Sequence, residues 1–219
     1  MNAGVQEYFD RAANDFDAIY EGRGLFRQWV DRHFRRDMYE RYLLTFETCG
    51  NVIGKTILDI GCGGGHYSIE FAKRGASQVV GLDLASNMVK LADQYAEKDG
   101  LKDRCRFIAG DFWEINLNRH FDIALAIGVF DYISRPRPFL EKMRTVAKEW
   151  LIVSFPSKSP IRTPIRKARY WWKRCPVYFY DRRMIETLVA GLGRYRILKI
   201  PGQGMDYFVS IQLCQTCNG

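Results

Sequence analysis

Apolar residues recur at helical spacing over residues 3–20 and 25–46, with Tyr8, Phe9, Ala12, Phe16 and Ile19 on roughly one face. Gly22 and Gly24 separate these two helices. Beyond residue 50 the pattern changes to short continuous apolar runs. Residues 56–61 (TILDIG) read as a buried strand, followed by a glycine loop and a helix through Arg74. Residues 78–84 (QVVGLDL) form a second strand, and Ser86 is placed to cap a helix to about Lys98. A third strand lies within 104–112 and a fourth over 121–129 (FDIALAIGV). Pro136 or Pro138 opens a helix to about Lys148, and residues 149–155 (EWLIVSF) are a fifth strand. A helix over 181–192 precedes two strands, 195–200 and 207–213, close enough to pair antiparallel.

Strands alternating with helices predict an α/β fold: a seven-stranded, mostly parallel, doubly wound sheet with an antiparallel last strand. Strands that are apolar throughout fit a sheet covered on both faces. In such sheets a ligand sits outside the carboxyl ends of the strands, near the switch in strand order. The loops after the first four strands therefore line one crevice.

Composition narrows the class. The 219 residues suffice for one domain with a sizeable core, organised as an N-terminal helical segment (1–50) and a sheet domain (51–219). No apolar run is long enough to span a bilayer as a helix and no secretory signal is visible, so the chain reads as cytoplasmic. Reduced thiols are the default for its six cysteines. Cys214 and Cys217 are the only close pair, and without a second pair they do not make a zinc ribbon, so no metal site is expected. Charge is uneven. Residues 1–157 are close to neutral, whereas residues 158–219 hold 12 Lys and Arg against 3 Asp and Glu. A basic tract of this kind reads as a substrate or partner surface, or as a solubilising face.

The loop after the first strand reads Asp59-Ile60-Gly61-Cys62-Gly63-Gly64-Gly65-His66. Glycines let the backbone turn sharply and approach a ligand, and the helix that follows offers N–H groups to an anion. That anion is a dinucleotide pyrophosphate or an amino-acid carboxylate. A nicotinamide site requires G-x-G-x-x-G, and His66 stands in its third glycine place. What is present is D-x-G-x-G-x-G.

With this loop the chain resembles the class I S-adenosylmethionine-dependent methyltransferases, whose first motif looks like ILDIGCGGG, residues 57–65. The resemblance covers residues 55–157 well and continues more loosely to the end. It implies a Rossmann-like fold with an N-terminal helical lid, and S-adenosylmethionine as cofactor, with S-adenosylhomocysteine as product. Asp59, Gly61, Cys62, Gly63 and Gly65 would lie along the methionine portion. Asp83, with Leu84 and Met88 beyond it, ends the second strand 22 residues after Gly61, where a carboxylate would accept both ribose hydroxyls. Gly110, Asp111 and Phe112 would meet the adenine, with Asp111 accepting from its amino group. Ile127 and Gly128 would run beside the methionine portion. Tyr8 and Tyr20, in a stretch resembling lid helices, would lie near cofactor or substrate. Each acidic residue also has a plain structural reading, Asp83 as a helix cap and Asp111 as the edge of a turn.

On the acceptor side, Asp131 and Tyr132 lie at the crevice mouth and His66 on the glycine loop, as candidates to orient the acceptor or take its proton. A capping Asp, a packed Tyr and a packing His are the alternatives. The stretch after Gly128 lacks the Asn/Asp-Pro-Pro-aromatic sequence of adenine-amino methyltransferases, by resemblance, which argues against adenine-N6 chemistry on DNA or RNA. Residues 158–178 form a basic amphipathic insertion. Beyond Thr163 and Pro164, Arg166, Arg169 and Lys173 share one helical face, while Ile165, Ala168 and Trp172 share another. Arg166, Arg169 and Trp172 are candidates to touch substrate. The segment would roof the pocket and meet an anionic acceptor, lie on an anionic membrane surface, or pack on its own domain.

The expected function is methyl transfer to a small-molecule acceptor, anionic or apolar, at oxygen, by in-line displacement. The competing readings are a methyltransferase acting on RNA or protein through residues 158–178, one acting on a membrane-associated lipid-like substrate, and a cofactor-binding protein without catalysis. Monomer and homodimer are both open.

Overall fold

The computed structural model describes residues 36–158, 163–164, 175–200 and 206–214. The elements are α1 (Arg36–Cys49), β1 (Thr56–Ile60), α2 (His66–Lys73), β2 (Gln78–Asp83), α3 (Ser86–Lys98), β3 (Cys105–Ala109) and β4 (Phe121–Ala126). They continue with α4 (Pro136–Val146), β5 (Ala147–Phe155), α5 (Arg182–Val189), β6 (Arg194–Lys199) and β7 (Tyr207–Gln212).

One seven-stranded sheet runs in the order β3-β2-β1-β4-β5-β7-β6. The first five strands pair parallel, and β7 inserts antiparallel between β5 and β6. This is the predicted doubly wound sheet. Alternate residues of each strand feed two cores. Leu58, Val80, Ala124 and Val153 face α4 and α5, where Phe139, Met143, Ile185 and Val189 are fully buried. Ile57, Val79, Ile123 and Ile152 face the opposite layer with Phe46 of α1, Phe71 of α2 and Ala92 of α3. Burial on both faces is why these strands carry no polar alternation. The edge strands β3 and β6 are the exceptions, with Arg106 exposed on the first and Arg194, Arg196 and Lys199 on the second, charges that protect an unpaired edge.

Three boundaries differ from the sequence expectation. The helix predicted to end at residue 46 runs to Cys49, because Phe46 and Cys49 are both buried on the sheet. Ser86 is the first residue of α3, and Ala85 occupies the capping position without a side-chain cap; its own N–H donates to Asp83 Oδ1 at 2.9 Å. The strand and helix expected to meet near residue 148 meet at Ala147. At α5, Asp181 caps as its residue type suggests, accepting from Met184 N–H at 2.9 Å.

β1 lies between β2 and β4, and the helices that follow β1 and β4 cover opposite faces. This is the switch in strand order, and it opens the crevice at the carboxyl ends of β1 and β4.

Candidate active site

The loop after β1 folds back over β2: the N–H groups of Gly61 and Cys62 both donate to the Leu82 carbonyl, at 2.7 and 2.9 Å. Gly61 has φ +73°, and a Cβ there would collide with Cγ2 of Val129. The loops after β1 and β4 are therefore in contact, with no room for a side chain between them. Gly65 has φ +79°, and a Cβ would lie 2.9 Å from both Ala92 Cβ and Phe107 Cζ. Glycine is what lets α2 begin this close to α3 and β3.

Asp83 closes the other side of the crevice. Its Oδ2 accepts from Gly63 N–H at 2.9 Å, while Oδ1 accepts from Ala85 N–H. The Asp83 carbonyl also accepts from Gly110 N–H at 2.8 Å, tying the loop after β2 to the loop after β3. There Asp111 Oδ1 accepts from Trp113 N–H at 2.9 Å, and its carbonyl accepts from Glu114 and Ile115. Lys142 of α4 holds this turn from outside, donating to the Trp113 carbonyl at 2.7 Å. Gly128 N–H donates to Ser154 Oγ at 2.8 Å.

Asp59 is buried beneath the loop and accepts from the Ser68 hydroxyl at 2.7 Å and from its backbone N–H. It thereby takes one of the orphan donors at the start of α2. Burial pushes its carboxyl up to about 6, the Ser68 bond opposes this, and the nearby charge of Asp83 adds to it. Two acidic side chains, Asp59 and Asp83, thus flank the glycine loop. That field suits a ligand that presents a cation and opposes a pyrophosphate. A ligand carrying ribose hydroxyls and a sulfonium or ammonium fits this donor set, and a dinucleotide fits it less well.

The sequence candidates sort into groups. Gly61, Gly63, Gly65, Asp83, Gly110, Asp111 and Gly128 converge on the crevice through the bonds above. Cys62 is buried and its thiol lies well above the usual range through burial, which makes it a packing residue rather than a nucleophile. Leu84 and Ile127 are half-buried, and Met88 is buried on the first turn of α3. The Phe112 ring is turned into the core, edge-on to Phe139 at 5.2 Å. His66 packs against Tyr95 of α3 with ring centres 5.8 Å apart, and burial holds it down at about 4, so it is neutral at pH 7. Asp131 and Tyr132 sit in the loop after β4 on the α4–α5 side; the Asp131 carbonyl accepts from Tyr178 N–H at 2.8 Å. His66 is therefore held in a different layer from these two. Tyr8, Tyr20, Arg166, Arg169 and Trp172 lie outside the described residues; of the basic insertion, Thr163 and Pro164 are helical as expected. Among the described residues no group of His, Cys, Asp and Glu gathers as a metal site, and no helix is long and apolar enough to cross a membrane.

Three polar residues were not singled out by sequence. Arg41 of α1 places Nη1 3.9 Å from where a Gly128 Cβ would stand and 4.0 Å from Asp206 Oδ2. Asp206, buried before β7, also accepts from Ser157 N–H at 3.2 Å. With Ser154, they form a polar rim on the β4–β5–β7 side of the crevice. No local motif announces them, because the partners are 26 to 165 residues apart.

Residues 52–165 match the family model described as a methyltransferase domain. The chain is 28% identical over 168 residues to the ubiquinone biosynthesis O-methyltransferase of Bordetella parapertussis, covering 74% of this chain and 69% of that protein. Its fold is similar to magnesium protoporphyrin IX methyltransferase from Synechocystis PCC 6803, crystallised with bound SAH. That likeness has a TM-score of 0.72 and 20% identity, and covers 95% of this chain and 98% of the other. It is also similar to the [4+2]-cyclase SpnF, with a TM-score of 0.62 and 24% identity over 89% of this chain and 73% of the other. A cyclase among these folds shows that the sheet alone does not decide the reaction. With the family model spanning more than half the chain, the chain belongs to the methyltransferase domain family, the class I S-adenosylmethionine-dependent methyltransferases.

Proposed function

We propose that this enzyme transfers a methyl group from S-adenosylmethionine to an oxygen of a small-molecule acceptor by in-line displacement. The observation that carries the reading is the Asp83 carboxylate at the tip of β2, bonded across the crevice to Gly63 N–H at 2.9 Å. It would accept the ribose hydroxyls, and Asp111 the adenine amino group. The loop carbonyls, with Asp59 beneath, would favour the cationic end of the ligand.

Bound S-adenosylmethionine supplies an electrophilic methyl on a positive sulfur. What remains for the protein is alignment, proton removal and exclusion of water. The Ser154 bond to Gly128 N–H fixes the strand end beside which the methyl would lie. Asp131 and Tyr132 follow within four residues, and Asp131 is our candidate to accept the acceptor's hydroxyl proton. His66 suits that role less, because a group held down at about 4 is a weak base and its ring is engaged with Tyr95. The N-terminal segment, residues 1–50 with Tyr8 and Tyr20, would act as the lid, and Arg166, Arg169 and Trp172 would roof the acceptor. The name of the Bordetella relative supports oxygen as the acceptor atom.

The test uses S-adenosylmethionine labelled in the methyl group, incubated with the enzyme and a bacterial extract divided into small molecules, RNA and protein. Label is expected in the small-molecule fraction, as an O-methyl group by proton NMR. Label confined to RNA or protein would overturn the proposal.

A further inference from the structure

Beneath the glycine loop lies a carboxyl group that the fold alone does not explain. Asp59, near the end of β1, is 3% exposed. Its strand neighbours, Gly81 of β2 and Leu125 of β4, carry no charge to oppose it. The titratable groups that face it are Asp83 at the tip of β2, the Cys62 thiol on the loop and the Cys105 thiol of β3. Among the described residues no basic side chain balances them.

Its bonds come from one residue of α2. Ser68 is fully buried; its hydroxyl donates to Asp59 Oδ2 at 2.7 Å, and its backbone N–H donates to the same carboxylate. Gly65, in the capping position of α2, has no side chain to take that N–H, so Asp59 takes it from the strand. Capping does not call for a charge, because a serine or an asparagine accepts such a bond as well. A buried carboxylate beside a second one, held only by neutral donors, is disfavoured by burial and by like charge. The arrangement becomes favourable when a positive group enters the crevice. The methionine portion of S-adenosylmethionine carries two, an ammonium and a sulfonium.

We infer that Ser68 is a positioning residue for the cofactor: its hydroxyl fixes the Asp59 carboxylate and favours the ionised form, so that a negative charge meets the positive methionine portion. This role rests on the reading of the crevice as the S-adenosylmethionine site. Protonated Asp59 offers no charge, so cofactor affinity is full at higher pH and declines as pH falls through about 6. Without the Ser68 hydroxyl the carboxyl holds its proton to higher pH, and the decline moves up with it.

The test is calorimetric titration of the purified full chain with S-adenosylhomocysteine and with S-adenosylmethionine, at about pH 5.5, 7 and 8. Wild type is expected to bind about three- to tenfold more weakly at the lowest pH than at the highest, releasing protons on binding at the lowest. Ser68→Ala is expected to lose about three- to tenfold near pH 7 and to return within about twofold of wild type near pH 8. Asp59→Asn, which cannot ionise, is expected to bind weakly and equally across the range. Effects on both ligands assign the partner charge to the ammonium, and an effect on S-adenosylmethionine alone assigns it to the sulfonium. A loss in Ser68→Ala that is equal at every pH marks a packing role and overturns the inference, as does affinity unchanged from wild type. Should Asp59→Asn fail to fold, proton release by wild type and Ser68→Ala in two buffers of different ionisation enthalpy decides the question, and equal release by the two overturns it. Wild type that binds neither ligand overturns this role and the methyl-transfer reading together, whereas the variant outcomes bear on Ser68 alone.

Discussion

The two halves of the sheet organise their loops in different ways. In the β3-β2-β1 half, the crevice is held by backbone. Gly63 and Ala85 donate to Asp83, Gly110 donates to its carbonyl, and Gly61 and Gly65 remove side chains where loops must touch. In the β4-β5-β7 half, side chains from distant elements do the holding: Ser154 receives Gly128, Arg41 faces Asp206, and the segment from 175 to 180 bonds back to 130 and 131. The first arrangement is fixed by backbone bonds, and the proposal places the cofactor there. The second is assembled by side chains from distant elements, and the proposal places the acceptor there.

This comparison can be broken by experiment. The largest effect expected is on cofactor affinity. Asp83→Ala removes a carboxylate with two backbone donors and the proposed ribose contacts. At about 1.5–3 kcal/mol for charged hydrogen bonds this weakens S-adenosylhomocysteine binding ten- to a hundredfold by calorimetry. Tyr180→Phe, in the other half, should leave that affinity within twofold. Next is Gly65→Ala, where a left-handed residue gains a Cβ 2.9 Å from two neighbours; denaturant unfolding should show a loss of about 2–3 kcal/mol. Ser154→Ala leaves Gly128 N–H without its acceptor and should cost about 1–2 kcal/mol, with a fall in kcat larger than the change in cofactor affinity. Equal effects of Ser154→Ala and Asp83→Ala on cofactor affinity would erase the distinction between the halves.

The smallest effect is the pH dependence of wild-type stability between about 4 and 6, because two groups oppose each other. Asp59 is raised to about 6 by burial, so its contribution is present at low pH and lost as pH rises through 6. His66 is lowered to about 4 by burial, so its contribution is present above about 6.5 and lost as pH falls through 4. His66→Gln removes the second and should unmask the first: stability then falls with rising pH across this window. A flat profile in the variant would show that Asp59 is not held up by its surroundings.

The same contrast explains what the sequence made legible. The alternation of strands and helices and the loops after the first three strands could be read because each signal is local: the glycines of 61–65, Asp83 at the end of an apolar run, Asp111 in a tight turn. Ser86 misled because Ala85 takes the capping position, its N–H donating to Asp83 two residues earlier, and the serine is already the first residue of the helix. The burial of the Phe112 ring depends on Phe139, 27 residues on, and a glycine–aspartate turn does not encode it. Arg41, Ser154 and Asp206 were invisible for the same reason, since they act together only once α1, β5 and β7 share one side of the crevice. The separation of His66 from Asp131 is likewise a property of layers, which periodicity predicts but does not assign to individual side chains.

The central claim is that the carboxylate at the tip of β2 grips the cofactor's sugar. A crystal structure of the protein grown with S-adenosylhomocysteine tests it most directly. The account predicts the ligand across the ends of β1 and β2, with both ribose hydroxyls within hydrogen-bond distance, about 2.5–3.0 Å, of Asp83. A ligand bound elsewhere, or an Asp83 side chain turned away from the sugar, would contradict it.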